Sequence, residues 1–266
     1  MRIFATLGPF LDDILSGSIG SGSELMRRIY DAGFDGVEIH LSVLDHPHGR
    51  RLLEGLEYRN VTFHSNHHEF SLGSANRYRR RAAVQQLKDE LTLAADRGVP
   101  VLTFHPGFEG KKLTRSQSHT NLCESLSELL RSYSSLLDSG KTILALENMD
   151  DTASKLCRRQ EEIEAVLGAF PSLGMTCDLA HCALGGLDIE QFIAQLSSRI
   201  CHVHVSGYQP GVSHGKVSLP RSELDLEPFI RRIARSDLTF VIENKTLAIA
   251  EESRGLLQAV RSALDS

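Results

Sequence analysis

The sequence predicts a single (β/α)8 barrel, one domain over residues 1–266, and three observations carry that expectation. Eight short apolar runs alternate with longer segments of helical period. The runs are apolar almost throughout, as strands buried on both faces must be. Seven of the eight end in a carboxylate or an imidazole, and in a parallel barrel the carboxyl ends of all strands open on one rim.

In chain order the first run, "RIFATLG" (2–8), ends without such a group. "DGVEIH" (35–40) ends with Glu38 and His40, "NVTFHS" (60–65) with His64, and "PVLTFHPG" (100–107) with His105 ahead of Pro106 and Gly107. "TILALEN" (142–148) ends with Glu147 and Asn148, and "LGMTCDL" (173–179) with Asp178, His181 following closely. "RICHVHVSG" (199–207) delivers His204 and "LTFVIEN" (238–244) delivers Glu243. Of the helical segments, residues 79–99 place Ala83, Leu87 and Leu91 on one stripe and stop at Gly98; residues 121–140 follow the same pattern and stop at Gly140. An open doubly wound sheet is the alternative. It would carry a glycine-rich phosphate turn directly after its first strand, whereas "GSIGSGSE" (17–24) follows an intervening loop.

Composition narrows the function. A chain of 266 residues, 41% hydrophobic and 24% charged, can bury one large core. Net charge −5 gives no electrostatic footprint for nucleic acid. The densest basic cluster, Arg77, Arg79, Arg80 and Arg81, reads as a solvated helix face. No apolar stretch is long enough to span a bilayer and "MRIFATLGPF" lacks the plan of a signal peptide, so a cytoplasmic protein without a membrane partner is expected. Five cysteines without a C-x-x-C pair argue against a disulfide framework and a thiolate zinc knot.

Carboxylates crowded at one mouth raise one another's pKa unless positive charge sits among them, and a divalent metal ion supplies it. Imidazole with carboxylate oxygen suits Mn, Zn, Co or Fe; calcium or magnesium would take fewer histidines.

"FHPG" (104–107), "ALEN" (145–148), "CDLAH" (177–181), "HVHVSG" (202–207) and "VIEN" (241–244), in this order, resemble the xylose-isomerase-like TIM-barrel superfamily. It contains sugar isomerases and epimerases related to D-tagatose 3-epimerase, and also endonuclease IV. The resemblance extends from "GFDGVEIH" (33–40) to the last strand. In the epimerase branch it implies one divalent metal held by Glu147, Asp178, His204 and Glu243, with Glu147 and Glu243 doubling as the acid/base pair. In the endonuclease branch His64, His105 and His181 fall where three more ligands stand. The Asp-x-His pattern of that branch's third metal is "VSH" (212–214) here: His214 is retained and Val212 replaces the aspartate. The glycine-rich run that normally follows is replaced by "LPRSELD" (219–225). Loss of an anionic ligand weakens a third ion, and with net negative charge and no tryptophan wedge it argues against a DNA partner.

The expected function is therefore a metal-dependent isomerase or epimerase of a small polyhydroxylated carbonyl compound (a sugar, keto-polyol or keto-acid), moving a proton through a metal-stabilised enediolate. A dehydratase acting through the same enediolate, an endonuclease-like phosphodiesterase and a catalytically inert binding barrel are the alternatives. His181 serves as a substrate hydrogen-bond donor or as ligand to a second ion, for which His64, His105, His181 and His214 are the candidate set. Glu38, His64, His105 and Lys245 are expected to face substrate, with His40 beside Glu38. His202, one layer deeper on the strand of His204, reads as a hydrogen-bonded core residue. His46, His48, His67, His68 and His119 read as loop or surface histidines, His67 and His68 being placed to reach substrate, and Arg221 is a candidate for an anionic substrate. Barrels of this kind commonly form homodimers; the sequence leaves oligomeric state open.

Overall fold

A computed structural model describes residues 1–66, 71–138, 142–150, 152 and 154–264. Every apolar run becomes a strand: β1 (Arg2–Thr6), β2 (Gly36–His40), β3 (Val61–His64), β4 (Val101–Phe104), β5 (Ile143–Glu147), β6 (Gly174–Asp178), β7 (Ile200–Val205) and β8 (Thr239–Ile242). They pair in parallel in sequence order, and β8 pairs back onto β1, closing the (β/α)8 barrel. Closure leaves no strand edge, and the strands are buried over most of their length, Ile143 at the start of β5 being an exposed exception. Large side chains such as Phe63, Phe104 and Phe240 are fully enclosed.

The helices are α1 (Leu11–Ser16), α2 (Gly22–Asp31), α3 (Pro47–Arg50), α4 (Arg77–Arg97), α5 (Arg115–Asp138), α6 (Gln160–Ala169), α7 (Leu179–Leu184), α8 (Ile189–Leu196), α9 (Glu227–Ile233) and α10 (Leu247–Leu264). Helix α4 starts two residues ahead of the expected 79, because Asn76 caps it by accepting from the N–H groups of Tyr78 and Arg79. It stops at Gly98, as expected, with φ 69°. Helix α5 starts at Arg115, not Asn121. Thr114 Oγ1 accepts from Gln117 N, while Gln117 Oε1 accepts from Thr114 N; this capping box satisfies the first free donors and lets the helix begin early. Gly140, the expected stop of this helix, lies outside the described residues. The run "GSIGSGSE" is helix punctuation: Gly17 closes α1 in the left-handed region and Ser21 caps α2. Arg77, Arg79 and Arg81 are exposed on α4, and Arg80 donates to Ser74 O.

Below the mouth the barrel interior holds a hydrogen-bonded polar layer. Glu38, Thr62, Thr103, Thr176 and His202 are all buried, and Thr103 and Thr176 share a hydrogen bond of 2.8 Å. Barrels usually fill this space with Val, Ile and Leu. Among the described residues no helix is long and apolar enough to cross a membrane, and all five cysteines are free.

Candidate metal centre

Strand register brings the sequence-expected groups to one place. Asp178 pairs with His204 across β6 and β7, and His40 with His64 across β2 and β3. Glu147 terminates β5, and Glu243 follows β8 immediately.

Glu147 is the hub. It is 1% exposed, and its Oε2 lies 2.8 Å from His105 Nε2 and 3.1 Å from His64 Nε2. Its Oε1 lies 3.3 Å from His204 Nδ1 and 3.4 Å from His181 Nδ1. Glu243 Oε1 approaches the same His204 Nδ1 at 3.2 Å, and Glu243 Oε2 is 3.6 Å from His214 Nε2. Asp178 divides its oxygens: Oδ1 caps α7 by accepting from His181 N at 2.8 Å, while the buried Oδ2 has no hydrogen-bond partner among the described residues and faces His214 Nε2 and His181 Nδ1, both at 3.4 Å.

Among the described residues four groups of potential ligand atoms result, each within 4.8 Å: Glu147, Asp178, His204 and Glu243; His64, His105 and Glu147; Asp178, His181 and His214; and Glu38, His202 and His204. The first is the four-residue set expected from the sequence. The second-ion candidates divide between two groups, His64 and His105 on Glu147, His181 and His214 on Asp178. His214 reaches Asp178 although Val212 occupies the expected aspartate position.

Burial alone pushes the Glu147 carboxyl up, but His105 and His204 beside it hold it well below the usual carboxylate range. Asp178 behaves likewise, with His181 and His214 outweighing burial. For Glu243 burial wins over His204 and His214, and the carboxyl lies above its ordinary value. Burial pulls His64 down, but Glu147 lifts it to about 9. At His105 burial dominates and lowers the ring to about 4 despite Glu147.

Asparagines brace this constellation. Asn148 Nδ2 donates to Asp178 O at 2.9 Å and Asn148 Oδ1 accepts from Asp178 N at 2.8 Å, gripping the peptide that presents the carboxylate. Asn244 Nδ2 donates to Gly215 O and Val217 O, anchoring the loop that carries His214. Gly215 has φ 79°, and a Cβ there would meet Glu243 O at 2.4 Å, so only glycine fits beside His214. The sequence flags both Glu-Asn pairs; these bracing roles depend on partners in other strands.

A cavity of ≈ 520 Å³ opens from the mouth, lined by Glu38, His40, His64, His214, Glu243 and Lys245 and walled by Leu7, Leu11, Leu15 and Val43. This volume accommodates a small molecule. Glu38 does line the cavity, but it is 2% exposed and both its oxygens face histidines: Oε2 accepts from His202 Nε2 at 2.8 Å, and Oε1 lies 2.9 Å from His204 Nε2. His202 is thus the hydrogen-bonded core residue expected. His105 is absent from the cavity lining and faces Glu147 instead. Arg221 pairs with Glu252 and is likewise absent from the lining. His46 lines the cavity and caps α3, and His119 bonds Glu162 O. His67 and His68 lie outside the described residues. Asp150, unassigned by the sequence reading, bonds Lys155 at 2.7 Å with Oδ2 4.0 Å from His181 Nε2; its signal was its place just past strand β5.

Glu90 on α4 supports the site from behind, accepting from Asn66 N at 3.0 Å and Gln86 Nε2 at 2.9 Å. Burial raises its carboxyl above the ordinary value, hydrogen bonds from Gln86, Ser65 and Asn66 offsetting only part. A raised folded pKa stabilises the protein below the unfolded value, and that contribution is lost as pH rises through the folded value. Glu90→Gln is therefore expected to gain thermal stability relative to the parent as pH rises above the ordinary carboxylate range. A difference in unfolding midpoint that does not vary with pH would show that Glu90 keeps the same charge folded and unfolded.

Comparison with known proteins agrees with this architecture. The model of the family described as "Xylose isomerase-like TIM barrel" matches residues 26–260. A probable endonuclease 4 from Campylobacter hominis is 23% identical over 146 residues, 52% of this chain and 50% of that protein, so the chain spans about half the length of this curated relative. A D-tagatose 3-epimerase-like protein superposes with TM-score 0.75 at 18% identity, covering 100% of this chain and 98% of its own. A Thermus thermophilus protein soaked with ZnCl2 superposes with TM-score 0.72 at 22% identity, covering 99% of each chain. Closed eight-stranded barrel, strand-end constellation and a family match over most of the length lead to one assignment: the chain belongs to the xylose isomerase-like TIM-barrel family.

Proposed function

We propose that this protein is a divalent-metal-dependent isomerase or epimerase of a small polyhydroxylated carbonyl compound, working by proton transfer through an enediolate. The observation that carries this reading is the convergence of Glu147, Asp178 and His204, from three strands, and Glu243, just past a fourth, within 4.8 Å. The donor set fits an ion. His204 Nδ1 lies between two carboxylate oxygens at 3.2 and 3.3 Å, and the buried Asp178 Oδ2 has no hydrogen-bond partner among the described residues; three carboxylates and an imidazole suit Mn, Zn, Co or Fe. These four residues would hold it. When bound, the ion supplies positive charge for the oxyanion that develops on the substrate carbonyl.

The chain's own groups do the rest. Glu147 on β5 and Glu243 after β8 both face this point, so one carboxylate takes the proton α to the carbonyl and the other, protonated, returns one to the neighbouring carbon or the opposite face. The proton count balances, and the second carboxylate ends ionised. His181, whose Nδ1 is engaged by Asn148 O at 2.9 Å, keeps Nε2 for a substrate hydroxyl. Lys245 at the cavity rim meets an anionic substituent where the substrate has one. Loss of a β-hydroxyl from the same enediolate would give a dehydratase.

A second reading, metal-dependent phosphodiester hydrolysis, is favoured by the His64–His105–Glu147 and Asp178–His181–His214 groups and by the endonuclease-like relative. Metal content per chain, measured on protein purified without chelator, is joined to α-proton exchange of ketoses and keto-acids in deuterated water. One equivalent of ion with deuterium uptake supports the isomerase reading. Two or three equivalents of zinc with cleavage of abasic-site DNA would replace it.

A further inference from the structure

We infer that Glu38 is a positioning residue that fixes the tautomer of His204, so that Nδ1 is the nitrogen presented to the mouth. This rests on the reading above, in which His204 is a metal ligand. A neutral imidazole has one N–H and one lone pair, and the partner of one nitrogen decides which the other carries. His204 Nδ1 faces Glu147 and Glu243 at 3.3 and 3.2 Å, and His204 Nε2 lies on the opposite side of the ring, 2.9 Å from Glu38 Oε1. The contact is oblique for a hydrogen bond, but neither atom has another partner among the described residues, so each is the other's. An ionised carboxylate only accepts. Glu38 therefore requires the proton on Nε2, which leaves the Nδ1 lone pair for a cation.

Glu38 is itself held from behind. Its Oε2 accepts from His202 Nε2 at 2.8 Å and from Thr62 Oγ1 at 3.1 Å, and Thr62 is its register partner on β3. Glu38 is 2% exposed and His202 fully buried. A buried charge is costly, and apolar residues would fill a barrel interior at lower cost. Stability alone gives no reason for a carboxylate here, whereas orientation of His204 does.

Glu38→Gln is the test, because an amide keeps the shape but can present its NH2 group to His204 Nε2, which then accepts and moves the proton to Nδ1. Manganese and zinc affinity by titration calorimetry, and His204 ring-nitrogen signals in ¹⁵N-histidine-labelled protein, are read in parent and variant. A loss of about 10–100-fold in metal affinity is expected, with a variant of unchanged thermal midpoint showing Nδ1–H. Equal affinity and an unchanged tautomer in the variant would overturn the role of Glu38 and leave the metal reading standing. No metal uptake by the parent would instead sink the metal reading and the role of Glu38 with it. Should the variant not fold, the zinc-loaded parent decides alone: a protonated Nε2 supports the inference, and a metal-coordinated Nε2 refutes it.

Discussion

On the proposed reading, Glu147→Gln should lower kcat by about 10²–10⁴-fold, the usual worth of a positioned acid or base, and should weaken binding of the proposed ion. The carboxylate is 1% exposed among four imidazoles, two on each oxygen, the nearest at 2.8 Å. Glutamine preserves the shape, so the change removes charge and proton affinity while the packing stays. It also removes the anion around which His64, His105, His181 and His204 are gathered. Steady-state kinetics with added metal separate the two effects: restored occupancy with kcat still depressed identifies Glu147 as the acid or base. A variant within tenfold of the parent's kcat would remove Glu147 from the chemistry.

Asn148→Leu should cost about 2–6 kcal/mol, because the side chains are similar in size and the amide bonds Asp178 N, Asp178 O and Cys182 Sγ, all buried, the two backbone groups carrying most of the cost. Asp178 N and Asp178 O would both lose their hydrogen bonds in a fully buried setting, at roughly 1–3 kcal/mol for each orphaned group. For a domain of this size that corresponds to a fall of roughly 5–20 °C in Tm. Calorimetry checks the figure, and metal titration checks its consequence: Asp178 is held at its peptide by Asn148, so ion affinity should fall too. An unchanged Tm would mean that the peptide of Asp178 finds other partners.

The strands were legible because barrel strands are covered on both faces, so each of the eight runs is mainly apolar, even though Glu38, Thr62, Thr103, Thr176 and His202 make one interior layer polar. The strand-end acids and histidines were legible for a related reason: a carboxylate closing an apolar strand has its place only where the strand meets solvent or a cation. Helix α5 was misjudged at its start, since the capping box at Thr114 and Gln117 lies ahead of the apolar stripe from which the helix was inferred. Arg221 was open as a substrate contact, and its engagement by Glu252 on α10 required knowing which surfaces meet. His214 is the sharper case. Its motif is broken at Val212, yet Asn244 and Gly215 hold its loop against β8 and bring the ring to Asp178.

By itself the sequence determined the barrel, the rim on which its chemistry lies and the residues that reach that rim, because period and residue type are local properties of a strand. Only the tertiary structure decided how those residues are shared: Glu147 among four histidines, Asp178 between a helix cap and the mouth, Glu38 with His202 across 164 positions of chain. The physical reason is that these pairings depend on barrel closure and on the register of neighbouring strands, and a shift of one residue in that register turns every side chain to the other face.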